Sequence, residues 1–193
     1  MLLILASASP RRAAILENAG IRFERVVVEI DETLAAGESA EAGVVRLAEE
    51  KARRAAANVR GPAIIIGADT LVVLDGEVMG KPVTEEDARR MLRRLSGQTH
   101  RVVTGVAALR MPEGDLRQAV ETTAVTFAAL SGQEIEAYVA TGEPMDKAGA
   151  YGIQERGGRL VTRIEGCYFN VAGLPLARLW GMLRESGWEP DTR

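Results

Sequence analysis

The sequence holds one cysteine, one histidine and only three lysines in 193 residues, and each scarcity removes a class of chemistry. A lone Cys167 cannot close an internal disulfide, so no disulfide framework supports the fold. A lone His100 provides no histidine-and-cysteine cluster of the kind zinc requires. No apolar run approaches the roughly 20 residues of a membrane-spanning helix. The N-terminus lacks the charged start and cleavage site of a secretory signal, so a cytoplasmic protein is expected. A net charge of −3 argues against a general nucleic-acid or membrane-surface binder. Chemistry is left to carboxylates, lysines, arginines and hard metal ions.

What is present is an ordinary globular balance, 47% hydrophobic and 26% charged, which is enough to bury a core as one domain or as two lobes around a cleft. Of the 24 basic residues only Lys51, Lys81 and Lys147 are lysines, which leaves 21 arginines. A lysine kept against that bias fits a place needing a compact ammonium rather than a planar guanidinium. The plain alternative is chance in an arginine-rich composition.

Leu2 to Leu5 read as a short buried strand, and SASPRR (7–12) follows it. Ser9 suits an N-cap and Pro10 the first helical position. Arg11 and Arg12 then stand in the first turn, where the helix dipole disfavours a cation by roughly 0.3–1 kcal/mol. Further along, RFERVVVEI (22–30) predicts a strand ending in acidic residues. A helix is expected from about Ala40 to Val59. AIII (63–66) is a buried strand running into GADT, and LVVLDGEVMGKP is a hairpin with Asp75-Gly76 as its two-residue turn. A helix over 84–95 carries RRMLRRL, whose arginines read as a solvated face. Strands are expected near 101–110 and 117–129, a helix from Ser131 to about Ala140, a strand near 159–164 and a last helix from Leu174-Pro175. The mixture of crossovers and hairpins implies an α/β fold on a mixed sheet.

Certain side chains stand where the pattern does not want them. Val44, Leu47, Ala48, Lys51 and Ala55 share one helical face, which puts Lys51 inside an apolar stripe. Either its stem is buried with the ammonium reaching water, or it faces a cleft. Asp69 interrupts an apolar strand, and a buried carboxylate needs a cation, a metal or a cleft. A bend at Gly67–Thr70 satisfying backbone N–H groups is the other reading. Glu32 adds a second hard-oxygen donor. With Asp69, water and substrate phosphates it would suit Mg²⁺, although EIDE alone reads as a solvated loop. GAYG within DKAGAYGIQ (146–154) is by itself no more than a turn. Arg11 and Arg12 at a helix N-terminus can converge with backbone N–H groups on an anion. Together with three inward lysines and two carboxylates they describe a metal–triphosphate site, with docking of a phosphorylated or acidic partner as the competing use.

SASPRR, VVRLAEEKA, GADT, GKP, LSGQTHRVVTGV, DKAGAYGIQ and GLPL, in this order, resemble the Maf family of nucleotide pyrophosphatases over nearly the whole chain. The resemblance implies a single domain over 1–193. Its fold would be inosine triphosphatase-like: an elongated, twisted mixed sheet flanked by helices, with two lobes around a central cleft. It also implies hydrolysis of nucleoside triphosphates to monophosphate and pyrophosphate, a divalent metal (Mg²⁺, with Mn²⁺ or Co²⁺ as alternatives) and a homodimer. By matching position, Asp69 becomes the proton acceptor, with Lys51, Lys81 and Glu32 as polar residues of the catalytic cleft. Ser7 and Arg12 become phosphate-binding residues, while Arg11, Thr70 and Gln154 become specificity positions. Lys147 joins the substrate-binding set. Metal ligation falls to Glu32 and Asp69. GADT together with Gln154 resembles the branch acting on dTTP and UTP, whose sister branch carries Glu near Gln154. Cys167 in GCYFNV departs from the usual Asp or Ser. The family's association with septum formation implies the alternative role of a division regulator without essential turnover.

Overall fold

The computed structural model describes residues 1–190. Strand β1 (Leu2–Ala6) leads into α1 (Pro10–Asn18), where the Ser9 hydroxyl accepts from the Arg12 N–H as the N-cap. Strand β2 is only Glu24–Val26, paired in parallel with Ile4, Leu5 and Ala6. The strand expected over 22–30 is therefore much shorter, because a run of valines forms a strand only where a neighbouring strand takes its backbone hydrogen bonds. Helix α2 (Ala40–Ala56) begins at Ser39, whose hydroxyl accepts from Ala42 N–H. Strand β3 (Ala63–Leu74) runs unbroken through GADT. The bend considered for Gly67–Thr70 does not form, and Asp69 is a strand residue.

Strand β4 (Glu77–Met79) returns antiparallel to β3, with Leu74 opposite Glu77 and Val72 opposite Met79. Asp75 and Gly76 both have positive φ, 51° and 81°, as the two-residue hairpin turn demands. Then come α3 (Glu85–Leu95), β5 (Thr99–Met111), β6 (Asp115–Phe127) and α4 (Gly132–Val139). Ser131 and Glu134 cap α4 reciprocally. Short 3₁₀ turns at Glu143–Asp146, Ala148–Ala150 and Arg156–Leu160 precede β7 (Val161–Glu165). The short helix α5 (Tyr168–Val171), unforeseen in the sequence, and α6 (Leu176–Glu185) complete the chain.

Among the described residues the strands form one seven-stranded mixed sheet in the order β2-β1-β3-β5-β6-β7, with β4 on β3. Strand β1 is parallel to β2 and β3, while β7 is antiparallel to β6. This is the mixed α/β sheet flanked by helices that the sequence predicts. The chain divides into two compact units: 1–69 with 104–121 and the segment from Gly173 onward, and 70–103 with 122–172.

In the first unit Ala48, Ala52 and Ala55 of α2 pack on Ile4, Ala63, Ile65 and Ala107. The small residues matter because a Cβ at Gly67 would run into the Ala48 carbonyl oxygen and sit 2.9 Å from the Ala52 nitrogen. A Cβ at Gly105 would likewise strike the Val44 carbonyl. Two glycines thus let the α2 backbone lie directly on the strands. In the second unit Leu92 and Leu95 of α3 and Ile135 of α4 pack around Val72, Leu74, Phe127 and Tyr151, each fully buried aliphatic side chain contributing about 1.5–3 kcal/mol. Arg90, Arg93 and Arg94 form the solvated face expected of RRMLRRL, pairing with acidic neighbours.

Candidate functional site

The first unit gathers Lys51, Asp69 and Glu32. Lys51 and Asp69 are buried, and the Lys51 ammonium donates to Asp69 Oδ1 at 2.5 Å and to Glu32 Oε1 at 2.7 Å. Lys51 therefore points inward from the apolar stripe of α2 rather than snorkelling. Asp69 lies two residues beyond Gly67 on the same face of β3, so the close approach of α2 at Gly67 is what brings ammonium and carboxylate together. An unpaired charge at either position would cost several kcal/mol. Glu32 closes the arrangement from an irregular segment, with its side chain 46% exposed.

Ser7 and Arg12 are buried in the same unit. The Arg12 guanidinium donates from Nε to the Gly173 carbonyl at 2.8 Å and from Nη1 to Ser7 Oγ at 3.3 Å. Burial pulls Arg12 below its ordinary pKa, the field of Asp69 opposes that, Arg11 adds to it, and Glu32 opposes it again. Asp69, Arg11 and Glu32 thus all act on Arg12 electrostatically. The two carboxylates offset the cost of cations beside the α1 N-terminus. Arg25 was not singled out from the sequence. Its Nε donates to the Ser7 carbonyl at 2.8 Å and its Nη2 to the Ala8 carbonyl, so strand β2 fastens the SASPRR loop. An arginine in a three-residue edge strand carries no sequence signal of that role.

The second unit holds Thr70, Lys81, Lys147 and Gln154. The GKP and DKAGAYGIQ segments adjoin there: Gly149 N–H donates to the Gly80 carbonyl at 3.0 Å. Gly149 and the buried Ala150 both take left-handed backbone, φ 68° and 61°, a conformation uncommon for alanine. Lys147 is buried, donating to the Glu143 carbonyl and to Asp146 Oδ1, both at 2.7 Å. Lys81 is exposed, which corrects the expectation of three inward lysines: pairing in the hairpin ends before it, so no strand face turns it inward. The Gln154 amide oxygen is buried and has no hydrogen-bond partner among the described residues. Glu143 and Tyr138, also missed in the sequence, brace this segment. Tyr138 donates to Glu143 Oε1 at 2.7 Å and accepts from Gly152 N–H, and Glu143 accepts from the Arg156 and Gly157 N–H groups. Burial raises the Tyr138 hydroxyl far above its ordinary pKa, and the Glu143 hydrogen bond adds to the shift. It stays a neutral donor.

An α/β sheet carrying buried cations, Lys51 and Lys147 paired with carboxylates and Arg12 in the first turn of a helix, defines a protein with cations placed to meet an anion. The chain belongs to the Maf-like protein family, whose model matches residues 2–186. Among its relatives is the dTTP/UTP pyrophosphatase of Symbiobacterium thermophilum, 53% identical over 96% of this chain and 94% of that one. The proteins of the same name from Koribacter versatilis and from Geobacillus sp. are 51% and 52% identical, covering 96% of this chain and 94% and 98% of theirs. In fold the chain is similar to the Staphylococcus aureus Ham1 protein, with a TM-score of 0.53 at 16% identity over 96% of this chain and 100% of that one. At that identity the likeness speaks for the fold alone.

Proposed function

We propose that this protein hydrolyses dTTP and UTP to the nucleoside monophosphate and pyrophosphate. The relatives named dTTP/UTP pyrophosphatase support the substrate class, at 51–53% identity over nearly their full length. The observation that carries the chemistry is the buried Lys51 ammonium shared by Asp69 and Glu32. Water attacks the α-phosphorus, the α–β bridging P–O bond breaks, and pyrophosphate leaves with the bond's electron pair. With Asp69 Oδ1 on Lys51, Oδ2 is the oxygen assigned to take the water's proton. Arg12 and Lys51 neutralise charge on the phosphates.

A divalent ion fits the donor set. Glu32 and Asp69 already converge on one cation with hard oxygen atoms. Among the described residues no group of three His, Cys, Asp or Glu side chains could hold a metal. One or two carboxylates completed by water and phosphate oxygens is the habit of Mg²⁺. When bound, such an ion supplies charge neutralisation to the triphosphate.

Base choice is assigned to Thr70 and Gln154. The Gln154 amide oxygen, lacking a partner within the described chain, matches the N3–H donor that uracil and thymine present. Its replacement by a carboxylate would favour the paired N–H donors of guanine. Gln154→Glu should therefore lower the ratio of kcat/KM for dTTP over GTP by about 10–100-fold, as a mismatched polar edge costs about 1–3 kcal/mol. An unchanged ratio removes Gln154 from base recognition. Pyrophosphate release across a nucleotide panel, with Mg²⁺, Mn²⁺ or Co²⁺ and with EDTA as control, tests the whole reading, and indifference to EDTA would refute the metal. The homodimer implied by the family resemblance and the cytoplasmic location expected from the sequence belong to the same proposal. Sedimentation velocity tests the former.

A further inference from the structure

Glu32 lies in a stretch, residues 27–39, without helix or strand. Something other than a backbone ladder must keep its half-exposed carboxylate on Lys51. The contacts that do so converge on Arg46, the arginine of VVRLAEEKA on α2. Arg46 Nε and Nη2 each donate at 2.8 Å to the two carboxylate oxygens of Glu38, a forked pair. Nη2 also donates to the Thr33 carbonyl at 3.1 Å, one residue from Glu32, and Nη1 donates to Glu50 Oε1 at 2.9 Å. Glu38 in turn accepts from Ala35 N–H at 2.9 Å. One guanidinium thus holds both ends of the 33–38 turn against the helix that carries Lys51.

We propose that Arg46 and Glu38 are positioning residues, a forked clamp that fastens the 31–38 segment to α2 and so delivers Glu32 to the Lys51–Asp69 pair. The proposal rests on the reading above that Glu32 takes part in the reaction. A planar fork is suited to this because it fixes direction as well as distance, which an ammonium does not. The Arg46 hydrogen bonds, followed by the Ala35 N–H, also hold the Glu38 pKa down at about 2. The pair therefore remains ionised at any pH where the enzyme would work.

The test compares Arg46→Met, Arg46→Lys and Glu38→Gln, each alone and combined with Glu32→Gln. Loss of a residue that orients a ligand typically costs 10–100-fold in activity or metal affinity. Arg46→Met and Glu38→Gln are expected to lower kcat/KM for dTTP by that factor, with Arg46→Lys recovering only part. In the Glu32→Gln background the same changes should cost less than about twofold, because residues acting through one group are not additive. Equal losses in both backgrounds would show that the clamp serves general stability, and would overturn the proposal. So would a Glu32→Gln variant of normal activity. Mn²⁺ affinity measured by electron paramagnetic resonance provides a readout independent of turnover, and the same non-additivity is expected in it. If the wild-type protein does not cleave dTTP, the proposed function fails while the Mn²⁺ cycle still decides the clamp.

Discussion

Lys51 answers two carboxylates with one charge, and that inequality orders the effects of substitutions around it. Lys51→Met leaves Asp69 buried without its cation, which costs about 3–5 kcal/mol. Asp69→Asn leaves Lys51 paired with Glu32, so its cost should be nearer 1–3 kcal/mol. Urea unfolding at pH 7 should therefore rank Lys51→Met well below Asp69→Asn, and equal losses would show that the Glu32 contact is energetically empty. Activity should not follow stability. Asp69→Asn, the milder change for the fold, is expected to reduce kcat by about 10²–10⁴-fold if Asp69 is the general base proposed above. At this scale the sequence was partly readable. The 3–4 spacing of α2 placed Lys51 inward, and an apolar strand flagged Asp69. Their pairing was not readable, because 18 residues separate them and the contact depends on how closely a helix packs on a sheet. Lys81 was expected to face inward with the other two lysines, yet it is exposed, because β4 ends at Met79 and the residues after it follow no strand face.

Elements whose ends are written in local chemistry were foreseen well. Ser9, Ser39, Thr84 and Ser131 each cap a helix through a side-chain oxygen, and Asp75-Gly76 makes its turn without help from elsewhere. Elements that depend on a distant partner were not: β2 shrank to what β1 could pair, and α5 and the 3₁₀ turns had no periodic signature. One contact between elements has a measurable pH signature. His100 on β5 is buried with Nε2 2.8 Å from the Tyr151 hydroxyl, its ring edge-on to Phe127 and Tyr151. Burial lowers its pKa from 6.5 to about 4. The unfolded chain then binds a proton that the folded chain refuses, so this contribution is intact above pH 6.5 and is lost as pH falls toward 4. The difference corresponds to about 3 kcal/mol. His100→Phe, whatever its absolute stability, should lose about that much less than the wild type between pH 7 and pH 4 in parallel denaturant titrations. Identical slopes would mean that His100 is protonated in the folded protein.

Over the whole molecule, a net charge of −3 gives a triphosphate no general attraction, so the proposed reaction relies on local cations and on the metal proposed to accompany the nucleotide. A non-hydrolysable α,β-imido analogue of dTTP should therefore stabilise the protein strongly only with Mg²⁺ present. At 100 times its dissociation constant the gain is about 2.7 kcal/mol, readable as a rise in Tm. An equal rise in EDTA would make the metal dispensable for binding. The glycine notch beneath α2 has a consequence of a different kind, in heredity. The atoms that a Cβ at Gly67 would meet are the Ala48 carbonyl and the Ala52 nitrogen, which are backbone and identical in every possible sequence. A mutation at this codon cannot be repaired by trimming a neighbour, as an overfilled side-chain packing can. Selection for restored function after Gly67→Ser should return glycine at codon 67 and no suppressors along the facing helix, which makes this position a fixed point of the lineage.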